Sequence, residues 1–354
     1  MTARGTDWGL AALVASLIAT GVLTLFEGSS QDAWVYAAHD ALGGAIAVLV
    51  VVKLCRVWSR IRAPERWDNR TAAGVSVAAL VIATLVSGWL WSTGADATIA
   101  GYSLLGWHDL LGAVLAVLVV AHMALRAKPL RARDLAHRRQ FLAAAGIGVG
   151  SLLAWRVQRP LLALLDLRGA SRRFTGSYEA GSFAGNAFPT TSWVADKPRP
   201  IALDSYRLRV TGLVATELSL ALTDLPSRDE LVATLDCTGG FYSTQRWRGT
   251  LLSRILEQAA ADRGRARHVS VVSHTGYRWS FALSDADRLL LATHVGGEAL
   301  SHDHGAPVRL VAPGARGFQW VKWVERIEVL EDPAFGAPAS TVWSSFTRAG
   351  RGDA

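Results

Sequence analysis

Long, unbroken apolar runs fill the first ~155 residues, and short alternating runs fill most of the remainder. Four of the long runs, Trp8–Phe26, Trp34–Val52, Thr71–Trp91 and Tyr102–Leu125, exceed the roughly 17 residues a helix needs to cross a bilayer core. They predict four transmembrane helices. A fifth run, Ala143–Trp155, is shorter and interrupted by glycine. From Arg156 to about Thr191 the chain reads as a basic, irregular connector. Period-two alternation begins beyond it, as in Tyr206-Arg207-Leu208-Arg209-Val210 ahead of Thr211-Gly212, and predicts short strands to about residue 330.

The apolar half repeats itself. His39-Asp40-Ala41-Leu42-Gly43, leading to Ala47-Val48-Leu49-Val50-Val51, matches His108-Asp109-Leu110-Leu111-Gly112, leading to Ala116-Val117-Leu118-Val119-Val120. Ala11-Ala12-Leu13-Val14 matches Ala78-Ala79-Leu80-Val81, and Gly21 answers Gly88. The second and fourth helices are therefore equivalent, and each opens with a histidine.

Charge orients the helices. The net charge is +8, which alone would suit nucleic acid, but the positive residues of the first half sit in short loops beside apolar spans. Lys53, Arg56, Arg60, Arg62, Arg66 and Arg70 follow the second run; Arg126, Lys128, Arg131, Arg133, Arg138 and Arg139 follow the fourth. The connections Glu27–Ala38 and Ser92–Trp107 contain neither lysine nor arginine. Positive loops stay inside, so the pattern predicts a multi-pass protein of the cell membrane with a cytoplasmic N-terminus. No nucleic-acid partner is expected. His137-Arg138-Arg139-Gln140-Phe141-Leu142 resembles a twin-arginine export signal; a basic membrane flank is the alternative. Both put the chain beyond Trp155 in the periplasm or outside the cell, and without a clear cleavage site the fifth run is expected to persist as a helix.

Two histidines at one depth on equivalent helices can hold one haem iron from both sides, with Gly21 and Gly88 expected to leave room for the macrocycle. His39 and His108 are the candidate iron ligands. The arrangement resembles bacterial b-type cytochrome membrane subunits that exchange electrons with quinones. His122 lies 14 residues beyond His108, about 40° from its face and about 21 Å deeper. The repeat sets Lys53 opposite it, so a second haem, a quinone site and a simple interfacial position all stay open for His122.

The two cysteines, Cys55 and Cys237, build no disulfide framework. Leu231-Val232-Ala233-Thr234-Leu235-Asp236-Cys237-Thr238-Gly239-Gly240, with Trp247-Arg248-Gly249, resembles the cysteine segment of the sulfite oxidase family. His304-Gly305-Ala306-Pro307-Val308-Arg309-Leu310-Val311-Ala312-Pro313-Gly314, with Val321-Lys322-Trp323-Val324, resembles its pterin-binding segment. Asn186-Ala187-Phe188-Pro189 is a weaker third block. The resemblance implies a molybdenum–molybdopterin cofactor with Cys237 as catalytic thiolate ligand. It gives Asn186, Phe188, Thr238, His304, Arg309 and Lys322 cofactor-binding roles. A thiolate suits a soft metal, and cations suit the cofactor's phosphate.

The expected fold is an all-α transmembrane four-helix bundle over 1–130 and a twin-arginine-like segment with a fifth helix over 131–160. Beyond these come a connector (161–185), an α+β, mostly β, molybdopterin domain (186–332) and a C-terminal tail (333–354). The tail is too short for the family's dimerisation module, so a sulfite oxidase-type dimer is not expected. Arg246, Arg248 and Arg278 are substrate-side candidates only. The layout resembles the bacterial methionine sulfoxide reductase system. The expected function is electron transfer from quinol through haem b to molybdenum, reducing a small S-oxide or N-oxide, or an oxidised envelope protein. Sulfite oxidation in the opposite direction, and a passive haem anchor served by a soluble cytochrome, are the alternatives.

Overall fold

The structure, a computed structural model, describes residues 2–126, 129, 138–191 and 196–352. It divides into two compact units, Met1–Tyr178 and Glu179–Ala354. His137 and most of the basic segment before it lie outside the described residues.

Among the described residues, five helices of the first unit are long and apolar enough to cross a membrane. They are α1 (Ala3–Thr24), α2 (Ala33–Ile61), α3 (Asn69–Ser92), α4 (Leu104–Arg126) and α5 (Arg138–Leu164). Side chains fix where some of them begin. The Thr2 hydroxyl accepts from Gly5 N at 3.0 Å, and the Asp68 carboxylate accepts from Thr71 N at 2.7 Å, each satisfying an amide that a helix start leaves without a partner. A short hairpin of β1 (Thr98–Ile99) and β2 (Tyr102–Ser103) precedes α4.

Val14, Ile46, Val50, Val81 and Leu115, drawn from the first four helices, form one buried cluster. Outward residues such as Val117 and Val120 are about 70% exposed, as lipid-facing residues should be. α5 packs on α2, where a methyl group added at Gly44 would sit 3.4 Å from Ser151. It continues past Trp155, through Pro160, to Leu164. Arginine, glutamine and leucine are good helix formers, and a single proline removes only one hydrogen bond, so the first stretch assigned to the connector is helix.

The second unit is β-rich. β3 (Tyr178–Glu179) marks the unit boundary. Two sheets follow. One sets β4 (Leu208–Gly212) between β5 (Leu218–Leu220) and β13 (Val324–Leu330), parallel to the latter, with β8 (His268–Ser273) and β9 (Arg278–Ala282) beyond. The other centres on β7 (Phe241–Leu251), flanked by β6 (Asp229–Asp236) and β10 (Leu290–Val295); β11 (Glu298–Ala299) and β12 (Arg309–Val311) both pair with β10. Alternation is strict where it matters: Phe241, Ser243, Gln245 and Trp247 are buried, while Arg246 between them is exposed. Leu208, Trp247, Val269, Leu290 and Ile327 anchor the core. The chain's last segment joins this unit, since Ser344 and Ser345 donate to the buried Asp196 carboxylate at 2.8 and 2.7 Å.

Candidate functional site

β6 ends at Asp236, and the chain turns through Cys237, Thr238, Gly239 and Gly240 into β7. Gly240 N donates to Cys237 O at 3.0 Å, with Gly240 at φ 99°, where only glycine is relaxed. Cys237 is 7% exposed. Its Sγ lies 3.3 Å from both Gly239 N and Thr191 Oγ1, so polar groups already attend the sulfur, as a thiolate requires. Thr238 is half-buried in the same turn.

A buried ion pair braces the turn. Arg316 Nη1 donates to Asp236 at 2.6 Å, and both side chains are under 5% exposed. The same guanidinium reaches Cys237 O at 3.4 Å. A methyl group at Gly317 would stand 3.0 Å from Cys237 Cα, so the loop after residue 314 lies flat against the cysteine. Sequence reading missed Arg316, Asp236 and Thr191. Gly317, between the matched stretches that end at Gly314 and resume at Val321, was the one available signal; the other contacts span 46 to 80 residues of chain.

Arg309 is 2% exposed, and its Nη1 donates to His304 O at 2.9 Å. Its guanidinium carbon sits 5.3 Å from the Trp247 ring and 5.8 Å from that of Trp320. Its Nε is buried without an acceptor among the described residues. Burial pushes Arg309 down to about 10, with Cys237 opposing. Lys322 donates to Thr191 O at 2.8 Å and Asp303 O at 2.6 Å, which leaves one of its three protons uncommitted among the described residues. Burial, then Arg309, push it down to about 7. Two cations near one buried sulfur carry more positive charge than nearby carboxylates balance. The set fits an anionic group that also offers a metal to the thiol.

The remaining predicted residues brace this region. His304 Nε2 faces Phe188 O at 3.0 Å, and a carbonyl only accepts, so Nε2 carries the proton and Nδ1 accepts from Ser301 Oγ at 2.7 Å. Both ring nitrogens are thus spent within the protein, and burial holds the imidazole neutral, down at about 4. Phe188 is 3% exposed, its ring 4.0 Å from that of His304 and 5.9 Å from that of Trp247. Asn186 donates to Glu298 and Ala299 O and accepts from Ser301 N at 3.0 Å, which ties its loop to β11. Arg246 and Arg248 project from the face of β7 opposite Trp247. Arg278 lies instead with Arg209, His274, Glu325 and Arg326 around a cavity of about 170 Å³.

In the first unit the His39 and His108 rings lie 6.1 Å apart, centroid to centroid, with planes at 85°. His108 Nδ1 donates to Thr84 O at 2.9 Å. Thr20 Oγ1 gives its proton to the backbone of α1 and so accepts from His39 Nδ1 at 2.9 Å. Both rings therefore keep a lone pair on Nε2, the tautomer a metal needs. Gly21 and Gly88 lie against these rings. An added Cβ would meet His39 at 3.4 Å and His108 at 2.8 Å, so these glycines seat the histidine rings. His122 is half-buried. Its counterpart in the repeat, Lys53, is ion-paired with Asp7.

Residues 195–337 match the family described as oxidoreductase molybdopterin binding domain. Sulfite oxidase of Gallus gallus is 34% identical over 167 residues, covering 36% of this chain and 35% of that protein. A nitrate reductase [NADPH] of Mycosarcoma maydis is 33% identical over 171 residues, covering 36% and 17%. The sulfane dehydrogenase SoxCD from Paracoccus pantotrophus is 26% identical, with a TM-score of 0.37 and coverage of 39% and 41%. The chain spans about a third of the length of the sulfite oxidase it matches.

Proposed function

We propose that this chain, whose residues 195–337 form an oxidoreductase domain that binds molybdopterin, is a membrane-bound electron relay. Its first four helices form the bundle that holds a b haem between His39 and His108. Electrons pass from quinol through that haem to an extracytoplasmic molybdenum centre, which reduces a small S-oxide or N-oxide such as methionine sulfoxide. The histidine pair carries this reading. With metal–imidazole bonds of about 2 Å, two rings on opposite sides of one ion stand roughly 6 Å apart, and the observed separation is 6.1 Å.

In the molybdopterin domain Cys237 Sγ would be the protein's ligand to molybdenum, in the turn that Arg316 and Asp236 hold. The uncommitted proton of Lys322 and the acceptor-free Nε of Arg309 would meet the cofactor's anionic groups, while His304, Phe188 and Asn186 keep the surrounding loops in place. When bound, the cofactor supplies oxygen-atom transfer coupled to two-electron redox chemistry; the protein supplies binding, orientation and charge. His122 sits at the inner end of α4, and with Lys53 engaged by Asp7 the reading assigns one haem per chain.

A second reading has specific support: the 34% identity to a sulfite oxidase favours oxidation of sulfite, with quinone as acceptor. The direction is tested with purified membranes. Quinol should reduce a low-spin b haem, and an S-oxide should reoxidise it in the wild type but not in Cys237→Ser. Haem reduced by sulfite, and no reoxidation by S-oxide, would establish the second reading. A haem that responds to neither leaves a molybdenum enzyme with a passive haem anchor.

A further inference from the structure

The connector after α5 returns to the outer ends of α2 and α3, where it buries an arginine that the electron relay does not use. Arg172 is 7% exposed. Its guanidinium carbon stands 3.8 Å from the Trp91 ring centroid, and its Nη1 donates to Gly176 O at 2.8 Å. Its Nε is buried without an acceptor among the described residues, and so is Trp91 Nε1. Gly176 lets the chain pass close, since an added Cβ there would lie 3.2 Å from Trp91 Nε1.

Two buried donors without acceptors are costly when nothing takes the hydrogen bond. Their position relative to the histidines gives them a purpose. Trp91 follows Gly88, the glycine that seats His108, by one turn of α3, about 4.5 Å along the axis. On the other helix Tyr36 precedes His39 by the same step, and its ring packs edge-on to Phe174 of the connector at 5.4 Å. Residues 172–174 therefore cap α2 one turn outside His39 and α3 one turn outside the glycine that seats His108. Neighbouring Arg159 donates to Arg172 O, and Arg173 donates to Gly28 O at 3.1 Å, so backbone and side chains pin the cap on both flanks. The acid that faces Arg172 is Asp96, which is largely exposed and lies 3.9 Å from Arg168.

We propose that Arg172, with Trp91 Nε1, receives the carboxylates of the haem, so that the connector completes the haem site from outside. This rests on the bis-histidine reading. A macrocycle between His39 and His108 has its two carboxylates as its polar edge, and that edge belongs at the water side of the membrane. The unpartnered donors are aligned with that requirement, and a guanidinium offers the fork a carboxylate accepts. A cation beside the haem favours its reduced form, so Arg172 also tunes the potential.

The full-length protein in detergent tests this by redox titration of the haem. Arg172→Gln should keep the low-spin spectrum and lower the midpoint potential by about 59 mV, a tenfold change in the ratio of oxidised to reduced affinity for a one-electron couple. Arg168→Gln, which removes an exposed guanidinium of the same connector, should leave the potential alone. Wild-type protein reconstituted with haem dimethyl ester, whose carboxylates are masked, should bind at least about tenfold more weakly than with haem. That measurement decides the question where Arg172→Gln does not accumulate. Equal affinity for haem and ester, or an unchanged potential in Arg172→Gln, would overturn the proposal, leaving Arg172 a latch on Trp91. Wild-type protein that binds no haem would overturn the bis-histidine reading instead.

Discussion

At the scale of single residues, the molybdopterin domain turns on Cys237 and the buried pair that holds its turn. Loss of groups that orient a metal ligand commonly costs 10- to 100-fold. On the proposed reading of Cys237 as the molybdenum ligand, its loss should cost at least about 10²-fold, so Cys237→Ala should lose activity while X-ray absorption shows one sulfur fewer around molybdenum. Arg316→Ala removes the guanidinium that pairs with the buried Asp236 and should destabilise the domain by about 3–5 kcal/mol in denaturant titration. Away from this site, His274 Nδ1 and Glu325 lie 3.0 Å apart, each about one third exposed. The hydrogen bond raises His274 above its ordinary 6.5 and holds Glu325 below its ordinary 4.5. A raised histidine stabilises fully below pH 6.5 and loses that as pH rises; a lowered carboxylate stabilises fully above pH 4.5 and loses that as pH falls. The pair should therefore contribute most between those values, by up to about 1 kcal/mol for a partly exposed pair. His274→Gln should flatten the alkaline limb of the stability profile.

At the scale of elements, glycine decides two close approaches. In β7 a Cβ at Gly249 would fall 2.0 Å from Leu291 O of β10, beside the irregularity between Ala292 and His294. Gly249→Ala should cost about 1–3 kcal/mol, measured as a lowered melting temperature, because the sheet must open to admit it. On α3 the same logic protects a ring. On the proposed bis-histidine reading, Gly88→Val would displace His108 and should abolish the low-spin haem signal, while Gly112→Val, where nothing lies within 4 Å, should not. The repeat that pairs these helices was legible in the sequence, because identical local tasks leave identical residues. Which side chains its glycines face was not, since those atoms come from another helix.

At the scale of the whole molecule, five apolar helices precede a molybdopterin-binding oxidoreductase domain. The proposed orientation rests on where lysine and arginine are concentrated. A C-terminal reporter that works only outside the cytoplasm should be active, and an active cytoplasmic reporter would reverse the topology. Arg138→Lys with Arg139→Lys should hold the domain inside if the segment is read as an export signal, and should change nothing if it is a membrane flank.

The sequence by itself determined the apolar spans, the internal repeat, the β-rich second half and the identity of the candidate metal ligands. These are properties of periodicity and of residue types with narrow chemistry: a lone cysteine in the second half, two matched histidines, a run long enough to cross a bilayer. Only the tertiary structure decided how those groups are held. Asp236 meets Arg316 across 80 residues, Thr191 meets Cys237 across 46, and Arg172 meets Trp91 after α5 has intervened. Such partners carry no local periodicity. They are selected by which loops packing brings together and by the cost of leaving a buried charge or donor without a counterpart.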